Sequence, residues 1–289
     1  MWEEYCSPSS VKEALKILYK YDGQARVIAG GTDLVLELKK KTRDVKCLVD
    51  ITNIEELKKI LREVNTIKIG AGVTHSEVAS SKLINQYAIV LAEAASAVGS
   101  PLIRNLGTIV GNVVNAQPAA DTAIALFALE AKAEISTYKG SNLVPIEKLY
   151  QGIGSSEVDS TSEIVTTIQF KKPVSNTGSA FTRLSQRKAL ALPVLNVAAV
   201  VTIKDNHSDD ARIVIGPVAN MPFRSRKAEL QLKGAPINLE SIKKAAEIAA
   251  YEAQPRDSAL RGSAKYRQEM VKVLVKRALE QATLRAKER

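Results

Sequence analysis

The chain has 289 residues, 45% of them hydrophobic and 25% charged, and carries a formal charge of +10 at neutral pH. That length suits one large domain or two to three small ones with a real core, and no apolar run approaches the roughly 20 residues of a membrane helix. Two cysteines and two histidines exclude a disulfide framework and an iron–sulfur cluster with its roughly four ligands, and they argue against a His-based metal site or a Ser-His-Asp triad.

In chain order, Ser10 with Glu13 reads as a capping box opening a first helix whose stripe is Val11, Ala14, Leu15 and Leu18. A short apolar strand at 25–29 runs into Gly30-Gly31, and a helix follows at about 33–40. A second buried strand is expected at 47–51, then a short helix capped by Asn53 with Glu56 at its third position. Together these make a small β-α-β unit over residues 1–60. A second region, 61–172, opens with a strand at 66–69 and a capping box of Thr74 and Glu77. One alanine-rich helix is expected at 84–97, and a helix at 118–129 with Pro118 in its first turn. Strands at 132–138 and 164–170 flank a polar loop at 152–162. The third region, 173–289, has three expected strands at 179–184, 194–204 and 211–218, read as an antiparallel sheet. Helices at 239–252 and 266–285 end the chain.

The charge raises nucleic-acid binding. Aromatics are only 4%, however, and residues 265–289 alone hold eight Lys/Arg against three Asp/Glu. The excess reads as a solvated face or a surface for an acidic partner, not a nucleic-acid site. The start, Met1-Trp2-Glu3-Glu4, has no apolar h-region, so no signal peptide and a cytoplasmic location are expected.

Two segments carry chemistry. In Ala29-Gly30-Gly31-Thr32-Asp33-Leu34, a strand ends in two glycines that let backbone amides close on a phosphate, and the following helix start adds free N–H groups. The plain alternative is a tight strand-to-helix turn capped by Thr32 or Asp33. The segment from Gly99 to Asp121 is dense in Gly, Asn and Pro. It offers backbone donors, amide side chains and the Thr108 hydroxyl to a ligand with ring acceptors and a polyol, as a flavin has. Asp121 falls in the first turn of the next helix, where dipole compensation is the simple role. Ile69-Gly70-Ala71-Gly72-Val73-Thr74-His75 imitates a dinucleotide fingerprint. Its third glycine is replaced by His75, and no acidic strand end stands at the right distance, so a Rossmann NAD site is rejected.

The two segments resemble the FAD subunit of the xanthine dehydrogenase and carbon monoxide dehydrogenase family. So does the tail, from Asp257 through Arg261-Gly262-Ser263-Ala264 to Arg277-Ala278-Leu279. The resemblance runs over nearly the whole chain. It implies an α+β fold: a two-part FAD-binding domain of the vanillyl-alcohol-oxidase type, then a small C-terminal domain with a three-stranded sheet and helices. It further implies that Ala29, Gly30, Gly31, Thr32, Asp33 and Leu34 form the pyrophosphate loop. Thr108, Gly111 and Asn112 would lie along the flavin and its linker. Asp121 would contact FAD, and Lys188 would lie in a segment preceding a residue packed near the isoalloxazine. Where the family usually has Gly-Gly-Asn, this chain has Val110-Gly111-Asn112. Valine resists positive φ and adds bulk, so either it points away from the flavin or the pocket differs there. The implied function is electron transfer without catalytic or metal-ligating residues in this chain. A large molybdenum–pterin subunit hydroxylates the substrate, a small subunit carries two [2Fe–2S] clusters, and this chain passes their electrons from FAD to NAD, a quinone or another acceptor. The rival readings are a stand-alone FAD oxidase and a flavin-free adaptor subunit.

Overall fold

The computed structural model describes residues 2–187 and 190–289. The N-terminal unit runs β1 (Glu4–Cys6), α1 (Val11–Tyr21), β2 (Ala25–Ile28), α2 (Leu34–Lys39) and β3 (Cys47–Asp50). Its sheet is parallel with β3 in the centre, Glu4 and Ala25 both pairing with Cys47. A parallel strand covered on both faces reads as an unbroken apolar run, because successive side chains enter opposite cores. Cys47 and Val49 face Ala14, Leu15 and Leu18 of α1, and Leu48 faces Ile28, Leu38 and Val45. Ser10 caps α1, but the Glu13 carboxylate accepts from Ser9 rather than from Ser10, so the expected capping box is only half formed. Asn53 does not cap a helix. Its amide donates to Ser7 Oγ at 3.1 Å, and the following turn, Glu55–Lys58, is a 3-10 helix capped by Ile54.

The middle region runs β4 (Ile60–Arg62), β5 (Thr66–Gly70), α3 (His75–Ser80), α4 (Lys82–Tyr87), α5 (Ile89–Ala97), α6 (Pro101–Leu106), α7 (Ile109–Val114), α8 (Asp121–Ala128), β6 (Lys132–Thr137), β7 (Gly140–Pro145), β8 (Tyr150–Gly152), β9 (Ser155–Ser156) and β10 (Ile164–Lys171). Its five-stranded sheet has the order β4-β5-β10-β6-β7. Strand β10 closes it from far along the chain, with Ile168 opposite Ile69 on one side and Ala133 on the other. The single helix expected at 84–97 is two helices meeting at Ala88, whose φ of −145° is non-helical. Alanine is the best helix former, so periodicity could not mark a break there. The helix expected from Pro118 starts at Asp121, because the Ala119 carbonyl is held by Asn196 Nδ2 at 3.3 Å. Strands β1 and β7 escaped the sequence reading, the first being three residues long and the second mostly exposed, with no alternation to read.

The C-terminal region runs β11 (Thr177–Leu184), β12 (Leu195–Lys204), β13 (His207–Gly216), β14 (Phe223–Arg224), α9 (Arg226–Leu232), α10 (Leu239–Glu252) and α11 (Ala264–Lys287). The expected three antiparallel strands are present, and the two-residue β14 extends them to four. Ala198 and Val200 of β12 join the core of the first two regions, while Val197, Ala199 and Val201 pack with α9–α11. A sheet buried on both faces explains why residues 195–201 are all buried. Helix α8 is buried all round, as a helix wedged between two layers must be. Gly178 lets α11 lie directly on β11: a Cβ there would stand 2.0 Å from the Ala282 carbonyl oxygen. Among the described residues, no helix is long and apolar enough to cross a membrane.

Candidate cofactor site

A cleft of about 790 Å³ opens between the first two regions, within the roughly 300–1,000 Å³ typical of cofactor sites. Three segments wall it. The first is the β2–α2 turn, with Ala29, Gly30, Gly31, Thr32, Asp33 and Leu34 all on the lining. The second is α7 with the residues before it, including Gly107, Thr108, Val110, Gly111 and Asn112. The third, the stretch from Gly154 to Ser160 with Gln151 and Glu163, was missed by sequence reading, which took it as a plain polar loop. Its small residues Gly154-Ser155-Ser156 were the available signal. Gly154 N donates to the Ala116 carbonyl and Val27 N to the Ser160 carbonyl, each at 3.0 Å, so this segment is stitched to both other walls.

The two glycines of the first wall do different jobs. Gly31 has φ +65°, in the left-handed region that favours glycine. Gly30 has no such torsion, yet a Cβ on it would stand 1.9 Å from the Leu106 carbonyl oxygen and 2.9 Å from Gly107 Cα. Gly30 is therefore the point where the first and second walls touch, backbone on backbone. Among the described residues, the amides of Gly30, Gly31, Thr32 and Asp33 donate to no protein group. Four consecutive unpaired N–H groups on a cleft wall are a set of donors suited to anionic oxygens. Asp33 stands at the N-cap position of α2 but caps nothing with its side chain, so the plain capping alternative is not what holds this turn.

On the second wall, Thr108 Oγ1 accepts from Gly111 N at 3.0 Å and so caps α7. Asn112 Oδ1 accepts from Thr122 Oγ1 at 2.6 Å. That bond fixes the amide so that its NH₂ end is the part left for a ligand. Val110 is helical and buried, belongs to the core cluster and is among the residues that line the cleft. No positive φ is needed there, so the departure from Gly-Gly-Asn changes bulk rather than backbone. Asp121 is not on the lining. Its carboxylate accepts from Asn196 Nδ2 at 2.8 Å and Arg183 Nε at 3.2 Å, tying α8 to β12 and β11. Burial pushes its carboxyl up to about 6, against the pull of Arg183 and Asn196. Asp121 thus acts as a latch behind the wall, and its neighbour Thr122, fully buried, holds Asn112, which does line the cleft. Lys188 lies outside the described residues.

The cleft also contains His75, part of the segment set aside as a false fingerprint. The first glycine of that segment serves packing: a Cβ on Gly70 would stand 2.1 Å from the Leu57 carbonyl oxygen. Thr74 and Glu77 form the expected capping box of α3 and hold His75 at its first turn. Among the described residues, no cluster of His, Cys, Asp or Glu could hold a metal.

Residues 2–173 match the family described as the FAD binding domain in molybdopterin dehydrogenase, and residues 180–282 match the CO dehydrogenase flavoprotein C-terminal domain. Over 248 residues the chain is 33% identical to the nicotinate dehydrogenase FAD-subunit of Eubacterium barkeri, covering 83% of this chain and 82% of that one. Over 284 residues it is 28% identical to the xanthine dehydrogenase FAD-binding subunit of Escherichia coli O157:H7, covering 98% and 96%. A solved structure of carbon monoxide dehydrogenase from Hydrogenophaga pseudoflava, lacking the Mo-pyranopterin moiety, superposes with a TM-score of 0.91 at 29% identity, covering 99% of this chain and 98% of that one.

Proposed function

The chain belongs to the FAD-binding medium subunits of the molybdenum hydroxylases, and we propose that it relays electrons from [2Fe–2S] clusters of a small partner subunit, through FAD, to an acceptor such as NAD or a quinone. A large partner subunit with a molybdenum–pterin centre would oxidise the organic substrate. The observation that carries the FAD site is the run of unpaired amides from Gly30 to Asp33 beside a cleft of cofactor size. When bound, FAD supplies the two-electron chemistry that this chain's side chains lack.

The division of work within the chain follows from its contacts. Gly30 to Asp33 bind the diphosphate through backbone N–H groups, and Gly30 sets their distance from α7. Thr108 caps α7 and holds Gly111 in place. Asn112, fixed by Thr122, offers its NH₂ to the ribityl chain or ring, and Val110 gives that end of the cleft an apolar wall that excludes water. Leu34 and the small residues from Gly154 to Ser156 complete the channel. No protein nucleophile is required.

The purified full chain is expected to carry one FAD, all of it released into the supernatant by acid. Mixed with the molybdenum and iron–sulfur subunits, it should be reduced by the organic substrate of the complex. Turnover of that substrate by this chain alone, with added FAD and an acceptor, would overturn the assignment. Flavin remaining with the acid pellet would overturn non-covalent binding.

A further inference from the structure

His75 is 2% exposed, and yet it lines the cleft. Its backbone amide donates to the Gly107 carbonyl at 3.0 Å. A Cβ built on Gly107 would lie 3.3 Å from His75 Cδ2 and 3.6 Å from Thr32 Oγ1. The imidazole, the Thr32 hydroxyl and the Gly107 backbone therefore converge where the first two walls meet. The ring nitrogens differ. Nδ1 is sealed from solvent and has no hydrogen-bond partner. No protein partner of Nε2 is found among the described residues, and Nε2 is not sealed in the same way.

Buried unpaired N–H groups are rarer than buried unpaired acceptors, and each forgoes roughly 1–3 kcal/mol of solvation. The ring proton therefore belongs on Nε2, leaving Nδ1 as a bare lone pair. Burial pushes the imidazole down to about 4, with the Arg104 guanidinium adding to the effect. At neutral pH the ring is thus uncharged, a single N–H donor without its acceptor. The four unpaired amides of Gly30 to Asp33 line the same cleft and would donate to the same anion.

We propose that His75 donates a hydrogen bond from Nε2 to a diphosphate oxygen of the bound cofactor, acting as a neutral donor and not as a cation. The inference rests on the cleft being the FAD site, and the tests keep the two apart. Dissociation constants for FAD, ADP and riboflavin are measured on the full-length wild type, His75→Leu and His75→Gln. His75→Leu should bind FAD and ADP about tenfold more weakly, the worth of one hydrogen bond to a charged group, while riboflavin, which lacks phosphate, should be unaffected. His75→Gln, which keeps an N–H near the Nε2 position, should recover most of the loss. Imidazole ¹⁵N–¹H spectra give an independent readout, since the chain has only two histidines and His207 is exposed. The buried ring should be the neutral Nε2–H tautomer, and its proton should move downfield when FAD or ADP is added. A wild type that binds neither ligand overturns the FAD assignment itself. A wild type that binds both, with His75→Leu binding equally well or with the proton on Nδ1, overturns the role of His75 alone. A riboflavin affinity that falls together with FAD and ADP would mean the variant has lost shape, and the tautomer measurement on the wild type then decides.

Discussion

Gly30→Ala is the sharpest perturbation of this site, because it changes space without changing torsion. Gly30 does not occupy a positive φ, so alanine adopts its backbone freely. The added methyl, however, would lie 1.9 Å from the Leu106 carbonyl oxygen, where ordinary contact begins at 3.4 Å, so the two backbones must part by about 1.5 Å. Both obstacles are main chain, and no flexible side chain can yield. Overpacking of this kind lowers stability by about 1–3 kcal/mol. A shift of that size also takes a hydrogen bond of ~2.9 Å beyond useful range. Losing two bonds to a charged diphosphate, at about 1.5 kcal/mol each, weakens binding roughly 100-fold. Gly31→Ala is the control. The atoms nearest its methyl are in the Ile28 and Val35 side chains at 3.2 Å, which can yield, and its left-handed torsion adds about 1–2 kcal/mol of strain. FAD titration by fluorescence, with urea unfolding of each apo variant, separates affinity from stability. An FAD affinity for Gly30→Ala within threefold of wild type, or a larger affinity loss in Gly31→Ala, would refute the idea that Gly30 is the hinge between the walls.

Gly31→Val should weaken FAD binding far more than Asp33→Asn, since Asp33 makes no side-chain cap; equal dissociation constants would reduce the glycine pair to a turn. His75 has a folded pKa of about 4 against an ordinary 6.5, so the unfolded chain binds its proton first, and stability falls as pH drops from about 6.5 to about 4. The wild type should lose up to about 3 kcal/mol relative to His75→Leu across that window, measured by denaturant titration at each pH; parallel curves would contradict a buried neutral ring. Glu93→Ala removes the acceptor of Arg285 Nη2 at 2.6 Å and of Phe181 N at 2.9 Å, and it should lower stability by about 2–3 kcal/mol by leaving a part-buried guanidinium and amide unpaired. An unchanged urea midpoint would show that water replaces the carboxylate.

The stretch before Asn112, expected as a loop, folds into α6 and α7, whereas local patterns in the chain were enough to reveal the strand–Gly-Gly–helix turn, the capping box at Thr74 and Glu77 and the three long strands after Pro173. Each depends on residues within a few positions of one another, and backbone torsion, capping and side-chain alternation act at that range. The sequence reading also placed ten of its eleven site residues in described segments, and nine of those line the cleft. The exception among them, Asp121, shows where local reasoning stops: its partners, Arg183 and Asn196, lie 62 and 75 residues away. The same holds for Gly30, whose need to be glycine comes from Leu106 rather than from its own torsion, and for His75, which looked like an interruption in a failed fingerprint. The third wall, from Gly154 to Ser160, became visible only when β10 closed the sheet and brought it against β2 and α7. Turns follow from local torsional preference, but the roles of groups that meet across the cleft follow from packing between distant segments, which the order of residues along the chain does not display.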